Sequence, residues 1–300
     1  GALWGVIPSL SRIVMQEGLS PFGVIFWTLW CSATIMIFLS IVSGQYPGRS
    51  RADLARYGLI GLIGGALPQM TLFWVAENLP AMVISIILAV ESFIVFAVAA
   101  LIGLEAPSLK RFIGLSLGLV CVLMIILPGG GAIGSHGWIW ILAALLVPAF
   151  YAAEGLMIAS LPETASGAIG TTTGIVVASA LIATPIAVLS GSFIPVNEVI
   201  NGVGWAFLLI AAMSATSMVL SVIAVRTTGA VFTSQVGYAA TGGGIIWSII
   251  LLGEHMTGWI AAAIACLISG VALVMPKAYG DDDEEHVFLA DPVPDARAAK

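Results

Sequence analysis

Charged residues are so scarce in this chain that it cannot cover a surface facing water. Only 9% of its 300 residues are charged and 60% are hydrophobic, whereas about 25% of the residues of a soluble domain carry charge. Such a chain must be solvated mostly by lipid. The composition therefore predicts an integral membrane protein, in which the few charged positions become informative.

Ten apolar runs, separated by glycine, proline and charged residues, predict an all-α polytopic membrane protein with ten transmembrane helices. The predicted spans cover 1–16, 21–43, 56–76, 80–102, 111–127, 137–158, 166–190, 203–224, 229–252 and 258–275. At about 1.5 Å per residue the first span is shorter than a hydrocarbon core of about 30 Å. We therefore expect the natural N-terminus to lie upstream of Gly1.

Lysine and arginine residues mark one side of the predicted bundle. Nine of the ten cations follow spans two, four, eight and ten, and the opposite connections contain none. The positive-inside rule places the cation-rich side in the cytoplasm. We therefore expect both termini to be cytoplasmic and the protein to lie in a bacterial inner membrane.

The chain contains two copies of one five-helix unit. A constant shift places Glu105 over Glu254, and a second shift places Pro8 over Pro148. Because five is odd, the second copy starts from the opposite face, which makes the repeats inverted. Inverted repeats are typical of secondary transporters, whose substrate site lies near the midplane between the two halves.

The repeats set the predicted organisation of the chain. It comprises a first repeat over 1–127, an external linker over 128–136, a second repeat over 137–276 and an acidic cytoplasmic tail over 277–300. Seven of the sixteen acidic residues lie in that tail, which we expect to be disordered. The rest of the chain has neither a basic nor an acidic surface, so no nucleic-acid partner is predicted.

The chain resembles the EamA-type permeases of the drug/metabolite transporter superfamily. The resemblance rests on Leu3-Trp4-Gly5 with Arg12 eight residues after the tryptophan, on Pro21 opening span two, and on paired Gly-Glu corners ending at Glu105 and Glu254. It implies that spans three, four, eight and nine surround a central cavity, with spans one and six beside them. It also implies transport, with export favoured, of small organic metabolites such as amino acids, or of drugs.

Three acidic or basic side chains lie inside predicted spans away from the span ends, where each costs at least about 2.5 kcal/mol. Glu91, in the middle of span four, is interpreted as a proton-coupling group or as a structural hydrogen-bond donor, and the first role is favoured. Arg12 could pair with a substrate carboxylate or with Glu91, or it could bind headgroups or helix carbonyls. Glu154 in span six could act as a gate or coupling residue, although an anchor at the membrane interface is favoured.

Polar uncharged and aromatic side chains complete the candidate solute site. They are Gln69, Trp74, Tyr151, Ser214, Ser217, Gln235, Tyr238 and Thr241. Those of spans eight and nine recur at helical spacing on one face. For the serines, hydrogen bonds between helices are an equally open interpretation. Pro68 should kink span three and free a backbone carbonyl towards the cavity.

Several other features are interpreted as structural. Glu105 and Glu254 each precede a helix, whose unpaired backbone N–H groups a carboxylate can accept. Trp4 is assigned to the interfacial belt of tryptophans near the span ends. The GxxxG motifs over 114–118 and 170–174 predict close helix packing, with a homodimer as the alternative.

The sequence therefore predicts a secondary active transporter rather than an enzyme. It has no HExxH motif, and its three cysteines lie singly in apolar runs, so no cofactor or metal is predicted. Because no ATP-binding motif is present, we expect a proton or counter-solute gradient to drive transport of a small-molecule solute across the lipid bilayer. A channel or a non-transporting membrane protein is the main alternative, and an intramembrane enzyme is a weaker one.

Overall fold

A computed structural model describes residues 1–2, 4–101, 109–126, 137–160, 166–228, 233 and 236–274. These residues are helical apart from short turns and connections. Four sequence predictions fall outside the described residues: those on Glu105, on Gln235, on the linker 128–136 and on the tail 277–300.

The helices follow the predicted spans in order. We label them α1 (Val6–Gln16), α2 (Pro21–Ser43), α3 (Arg51–Ala76), α4 (Ala81–Leu101), α5 (Leu109–Ile126), α6 (Gly137–Ala159), α7 (Gly167–Leu189), α8 (Gly204–Thr228), α9 (Val236–Leu252) and α10 (Gly258–Val274). A short helix that the sequence did not predict, Val196–Asn201, lies between α7 and α8. Within the described ranges, α2, α3, α4, α6, α7 and α8 are long and apolar enough to cross a membrane. The chain is therefore a multi-pass membrane protein, and the count of ten spans stays a prediction.

Helix α3 begins five residues earlier than predicted. Ser50 caps it, since the Ser50 Oγ accepts a hydrogen bond from the Asp53 backbone N–H at 3.0 Å. The Asp53 carboxylate in turn accepts from the Ser50 N–H at 3.3 Å. This reciprocal capping box satisfies two donors at the helix start. Because the first residues of the helix are polar, a hydropathy pattern did not include them in the predicted span.

Three helices are irregular near their middles. Helix α3 widens into a π-helical turn over Gly61–Ala66, α4 is interrupted at Ala89, and α6 is interrupted at Leu145. Prolines explain two of these sites, because Pro68 and Pro148 have no N–H to donate to the carbonyl four residues earlier. The expected effect of Pro68 thus takes the form of a π turn, a feature common near functional sites.

Helices of the first half pack against helices of the second half. Helix α1 packs on α9, α2 on α7 and α8, α3 on α6 and α7, α4 on α6 and α9, and α5 on α10. If each helix is replaced by the helix five places along the chain, the pair α1–α9 becomes α6–α4 and the pair α2–α8 becomes α7–α3. Both of these pairs are also in contact. The halves therefore contact each other reciprocally.

The two ends of the bundle are packed differently. We call them the Glu254 end, where Arg12, Ala81 and Glu254 meet, and the Arg226 end, where the Arg226 guanidinium donates to the Thr171 hydroxyl at 3.1 Å. Near the Glu254 end five apolar side chains are at most 1% exposed: Leu10, Val14, Phe73, Leu79 and Met82. This end of the bundle is therefore sealed by its hydrophobic core.

The GxxxG glycines pack inside the chain. A Cβ added at Gly118 would lie 2.7 Å from the Phe93 ring, and one added at Gly174 would lie 2.5 Å from the Tyr57 ring. Each motif thus has a partner within the same molecule, as the predicted close helix packing requires. These glycines therefore give no support to a homodimer, which stays a prediction.

Candidate functional site

A cavity of about 1070 Å³, its open mouth included, lies in the middle of the bundle. Its lining extends to Ile158 and Val225, near the Arg226 end. Side chains of α2, α3, α4, α6, α7 and α8 line it, together with Trp4 ahead of α1 and residues at the start of α9. The resemblance implied six of these helices, and the structure adds α2 and α7.

Glu154 is the most deeply buried acidic residue of the cavity. Its side chain is packed on Gly64, within the π turn of α3: a Cβ added at Gly64 would lie 2.7 Å from the Glu154 Oε1. Glu154 is only 8% exposed, and its Oε1 has no hydrogen-bond partner among the described residues. The prediction that Glu154 is an anchor at the membrane interface is therefore wrong, because α6 places Glu154 on the wall of the cavity rather than at the membrane surface.

Glu91 lines the same cavity from α4. It lies two residues after the interruption at Ala89, in the first turn of the second segment of that helix. The structure therefore brings Glu91 and Glu154 into one cavity, and no lysine or arginine lines it among the described residues. The position of Glu91 in the middle of its span agrees with the sequence prediction, whereas its role in proton coupling stays a prediction.

Two hydroxyl groups in the cavity donate their hydrogens to backbone carbonyls. The Ser32 Oγ donates to the Ala211 carbonyl at 3.1 Å, and the Ser179 Oγ donates to the Gly61 carbonyl at 2.9 Å. Gln69 adds a buried Oε1 that has no partner in the described part of the chain. The Ser32 and Ser179 oxygens are therefore available as acceptors, and the Gln69 amide offers an acceptor oxygen beside its own N–H donors. Ser214 and Ser217 also line the cavity, as the sequence predicted.

The aromatic wall of the cavity differs from the predicted one. Tyr151 lines the cavity as expected, and Trp4 packs edge-to-face on it with ring centroids 5.8 Å apart. The belt assignment of Trp4 is therefore wrong: Gly5 lets the start of α1 approach α9 closely, which turns Trp4 inwards. Trp74 does not line the cavity. It is 50% exposed and packs on Trp140 at 5.1 Å.

Arg12 lies at the sealed end and not in the cavity. Its guanidinium donates to the carbonyls of Ala76, at 3.0 Å, and of Leu79, and its Nε lies 3.8 Å from the Glu254 Oε1. Of the alternatives open from sequence, capping of helix carbonyls is the one observed. Pairing of Arg12 with Glu91 is not.

Glu254 has the structural role that was predicted, but on a different helix. Its two oxygens accept from the backbone N–H groups of Ala81, at 2.8 Å, and Met82, at 2.9 Å. These donors belong to the start of α4, rather than to the helix that follows Glu254 in the chain. The carboxylate therefore ties the second half of the molecule to the first.

Tyr238 and Thr241 join α9 to α4 instead of lining the main cavity. The Thr241 hydroxyl donates to the Ser85 carbonyl at 3.0 Å, and the Tyr238 ring lies 6.3 Å from the Phe93 ring. Periodicity placed both residues on one face of the helix correctly. It could not show that this face meets a neighbouring helix, because that depends on tertiary packing.

With the geometry described, comparison with known proteins gives a family. Residues 1–127 match the EamA-like transporter family. This segment of the chain is similar to that family. Its members are generally transporters of the drug/metabolite superfamily, so the resemblance drawn from Leu3-Trp4-Gly5 and its companions is confirmed.

The fold has counterparts among solved structures, of which 24 chains match. One crystal structure of a protein superposes with a TM-score of 0.62, at 17% sequence identity, over 91% of this chain and 96% of that chain. At such low identity the likeness shows the fold alone. No curated protein gives a significant match.

Proposed function

We propose that this protein is a secondary active transporter that exports small organic metabolites, such as amino acids, or drugs, by alternating access. The observation that carries the proposal is the one-sided cavity. Its polar lining begins in the middle of the bundle and extends towards the Arg226 end, whereas tightly packed side chains close the Glu254 end. A solute site reached from one side is what one state of an alternating-access carrier requires.

The reciprocal helix pairing supports the inverted repeats in this proposal. If a two-fold axis in the membrane plane relates the halves, every contact of one half must recur in the other with the helices exchanged. The pairs α1–α9 and α4–α6 meet that condition, as do α2–α8 and α3–α7. Because the two halves contact the cavity equivalently, rocking one against the other would move its opening to the Glu254 end.

We place the Arg226 end in the cytoplasm, since nine of the ten cations fall on that side by sequence. The structure is then an inward-facing state, ready to collect a cytoplasmic solute. Protease protection of tags placed in the loops 44–50 and 191–195, in sealed inverted vesicles, tests this placement. The opposite protection pattern would reverse the proposed direction of transport.

Counterflow in proteoliposomes tests the class of function. Vesicles loaded with unlabelled metabolite should accumulate labelled metabolite transiently, and uptake should saturate. A channel would give flux proportional to concentration, without counterflow. A non-transporting protein or an enzyme would give no protein-dependent flux across a broad metabolite panel, and that result would refute the carrier.

Glu91 is the proposed site of proton coupling. A carboxyl group that alternates between protonated and ionised forms can link the solute step to a proton gradient. Glu91→Gln keeps the shape but cannot ionise, so it should abolish gradient-driven accumulation while solute exchange continues. Accumulation that responds to the pH gradient as in the unmodified protein would exclude Glu91 as the coupling group.

A further inference from the structure

We infer that the cavity binds a protonated amine carried on an apolar or aromatic body, with Glu154 and Glu91 as the anionic pair that receives the ammonium group. This inference rests on the proposed transport function and names the chemical class of its solute. Charge, hydrogen-bond polarity and the aromatic wall each point to the same class.

The first argument is charge. Glu91 and Glu154 are the acidic side chains that line the cavity in the described part of the chain, and no described cation lines it to balance them. Arg226, the nearest cation along α8, is turned to the Thr171 hydroxyl of α7. Two carboxylates in a poorly solvated cavity repel each other strongly. A bound cation removes that repulsion, whereas an anionic solute increases it.

The second argument is the direction of the hydrogen bonds. Ser32 and Ser179 use their hydrogens on carbonyls, so their oxygens remain available as acceptors. Gln69 and Glu154 each have a buried Oε1 without a partner among the described residues. Buried acceptors are costly until a donor reaches them. A primary ammonium group brings three donors and no acceptor, as the ammonium group of lysine does.

The third argument is the aromatic wall beside Glu154. Tyr151 lies one helical turn before Glu154 on α6, and Trp4 packs on its ring. Cations bind favourably over tyrosine and tryptophan faces. The remaining lining includes Leu29, Val95 and Ile175, which suit the apolar body of the solute. The carboxylates and aromatic rings would thus bind the ammonium group, and the apolar lining would bind the rest of the solute.

Three small molecules of similar size test the inference. Phenethylamine is a cation at neutral pH, 2-phenylethanol is its neutral counterpart and phenylacetate is an anion. Each would be titrated into the purified full-length protein while its thermal unfolding is followed, because a ligand raises apparent stability by mass action. Phenethylamine should raise the unfolding temperature, and the other two should not. Equal stabilisation by 2-phenylethanol or phenylacetate, or none by phenethylamine, would overturn the inference.

Variants assign the effect to the two carboxyl groups. Glu154→Gln should weaken phenethylamine binding at least about tenfold, since a buried ammonium loses its charged partner. Glu91→Gln should weaken it as well, and serves as the second test if Glu154→Gln does not fold. Glu77→Gln is the matched control, because Glu77 is exposed and remote from the cavity. Unchanged binding in a folded cavity variant would refute the assignment.

Acidification gives an independent readout. Phenethylamine stays protonated from neutral to acidic pH, so weaker binding at low pH reports protonation of the protein. The ionisable groups facing the site are Glu91, Glu154 and Tyr151, with Tyr238 near Glu91 on the α9 side. Competition between protons and phenethylamine should be reduced in Glu91→Gln and in Glu154→Gln, because each variant lacks one of the two carboxyl groups that can be protonated. Persistence of the same pH dependence in both variants would contradict the inference.

The proposed function can fail separately. If phenethylamine does not bind but another metabolite shows saturable counterflow, the amine inference is wrong and the transporter stands. If phenethylamine binds to the carboxyl groups yet neither it nor any other metabolite shows counterflow, the site is an amine-binding site and the carrier is wrong.

Discussion

Glu254 and Glu154 are both acidic residues in a chain that has few, yet their surroundings are opposite. Glu254 accepts from two backbone N–H groups and lies beside the Arg12 guanidinium. Glu154 lies against the Cα of Gly64, with an Oε1 that has no partner in the described residues. A carboxylate whose partners are all supplied by the protein holds the fold together. One whose partner is missing is available for a ligand or a proton.

The largest effect should come from removing the satisfied carboxylate. Glu254→Ala leaves the Ala81 and Met82 N–H groups without their acceptor and Arg12 without its counter-charge, which should cost about 2–4 kcal/mol. Thermal or denaturant unfolding in detergent measures the loss, with Glu77→Ala as the control at an exposed acid of the same end. A loss below about 0.5 kcal/mol, typical of surface substitutions, would remove the distinction between the two residues.

The same change at the unsatisfied carboxyl should act on function instead. Glu154→Gln removes a buried group that cannot be stabilised as an anion by its neighbours, so stability should be unchanged or rise by up to about 1 kcal/mol. Transport should fall at least about tenfold, which corresponds to about 1.4 kcal/mol. Parallel unfolding and counterflow measurements test both parts. A stability loss as large as that of Glu254→Ala would show that Glu154 is structural.

A third prediction concerns the close contact below Glu154. Gly64→Ala inserts a methyl group where the Glu154 carboxyl lies, which should cost about 1–2 kcal/mol. Gly58→Ala, in the same helix, is the matched control, since a Cβ there meets no atom within 4 Å, and it should stabilise by up to about 1 kcal/mol. In the Gly64→Ala and Glu154→Ala double variant the cost should be less than additive. Strict additivity would mean that the two side chains do not compete for space.

The smallest effect should come from a substitution of Ser179. Its hydroxyl has a hydrogen-bond partner, as Glu254 has, but it lines the cavity, as Glu154 does. Its hydroxyl serves the Gly61 carbonyl at the start of the π turn, so Ser179→Ala should cost about 1 kcal/mol. Thermal unfolding measures it, and Ser116→Ala is a suitable control because the exposed Ser116 bonds only within α5. Equal losses in the two variants would show that the π turn does not depend on α7.

These contrasts also show what the sequence could reveal. Hydropathy located the helices, and the cost of charge in lipid singled out Arg12, Glu91 and Glu154. A pattern cannot tell which neighbour each of them meets, because that is decided by contacts between distant segments. Arg12 was therefore left between four partners, and Glu154 was assigned to the wrong environment.

Two other outcomes have local causes that a hydropathy pattern does not contain. The inward turn of Trp4 follows from a backbone contact at Gly5, and the pairing of Trp74 with Trp140 follows from how α3 meets α6. The Pro68 effect, by contrast, was predictable, since a missing N–H acts within its own helix. Local chemistry was thus readable from the sequence, and the identity of long-range partners was not.

The contact between Gly64 and Glu154 also constrains how this protein can evolve. While residue 154 is a glutamate, any side chain at position 64 would displace the carboxyl group from its place in the cavity. Among relatives, the two positions should therefore change together, with a larger residue at 64 accompanying a shorter one at 154. A lineage that lost the carboxyl group would be free to fill the space at position 64, and restoring the acid would then require two substitutions instead of one.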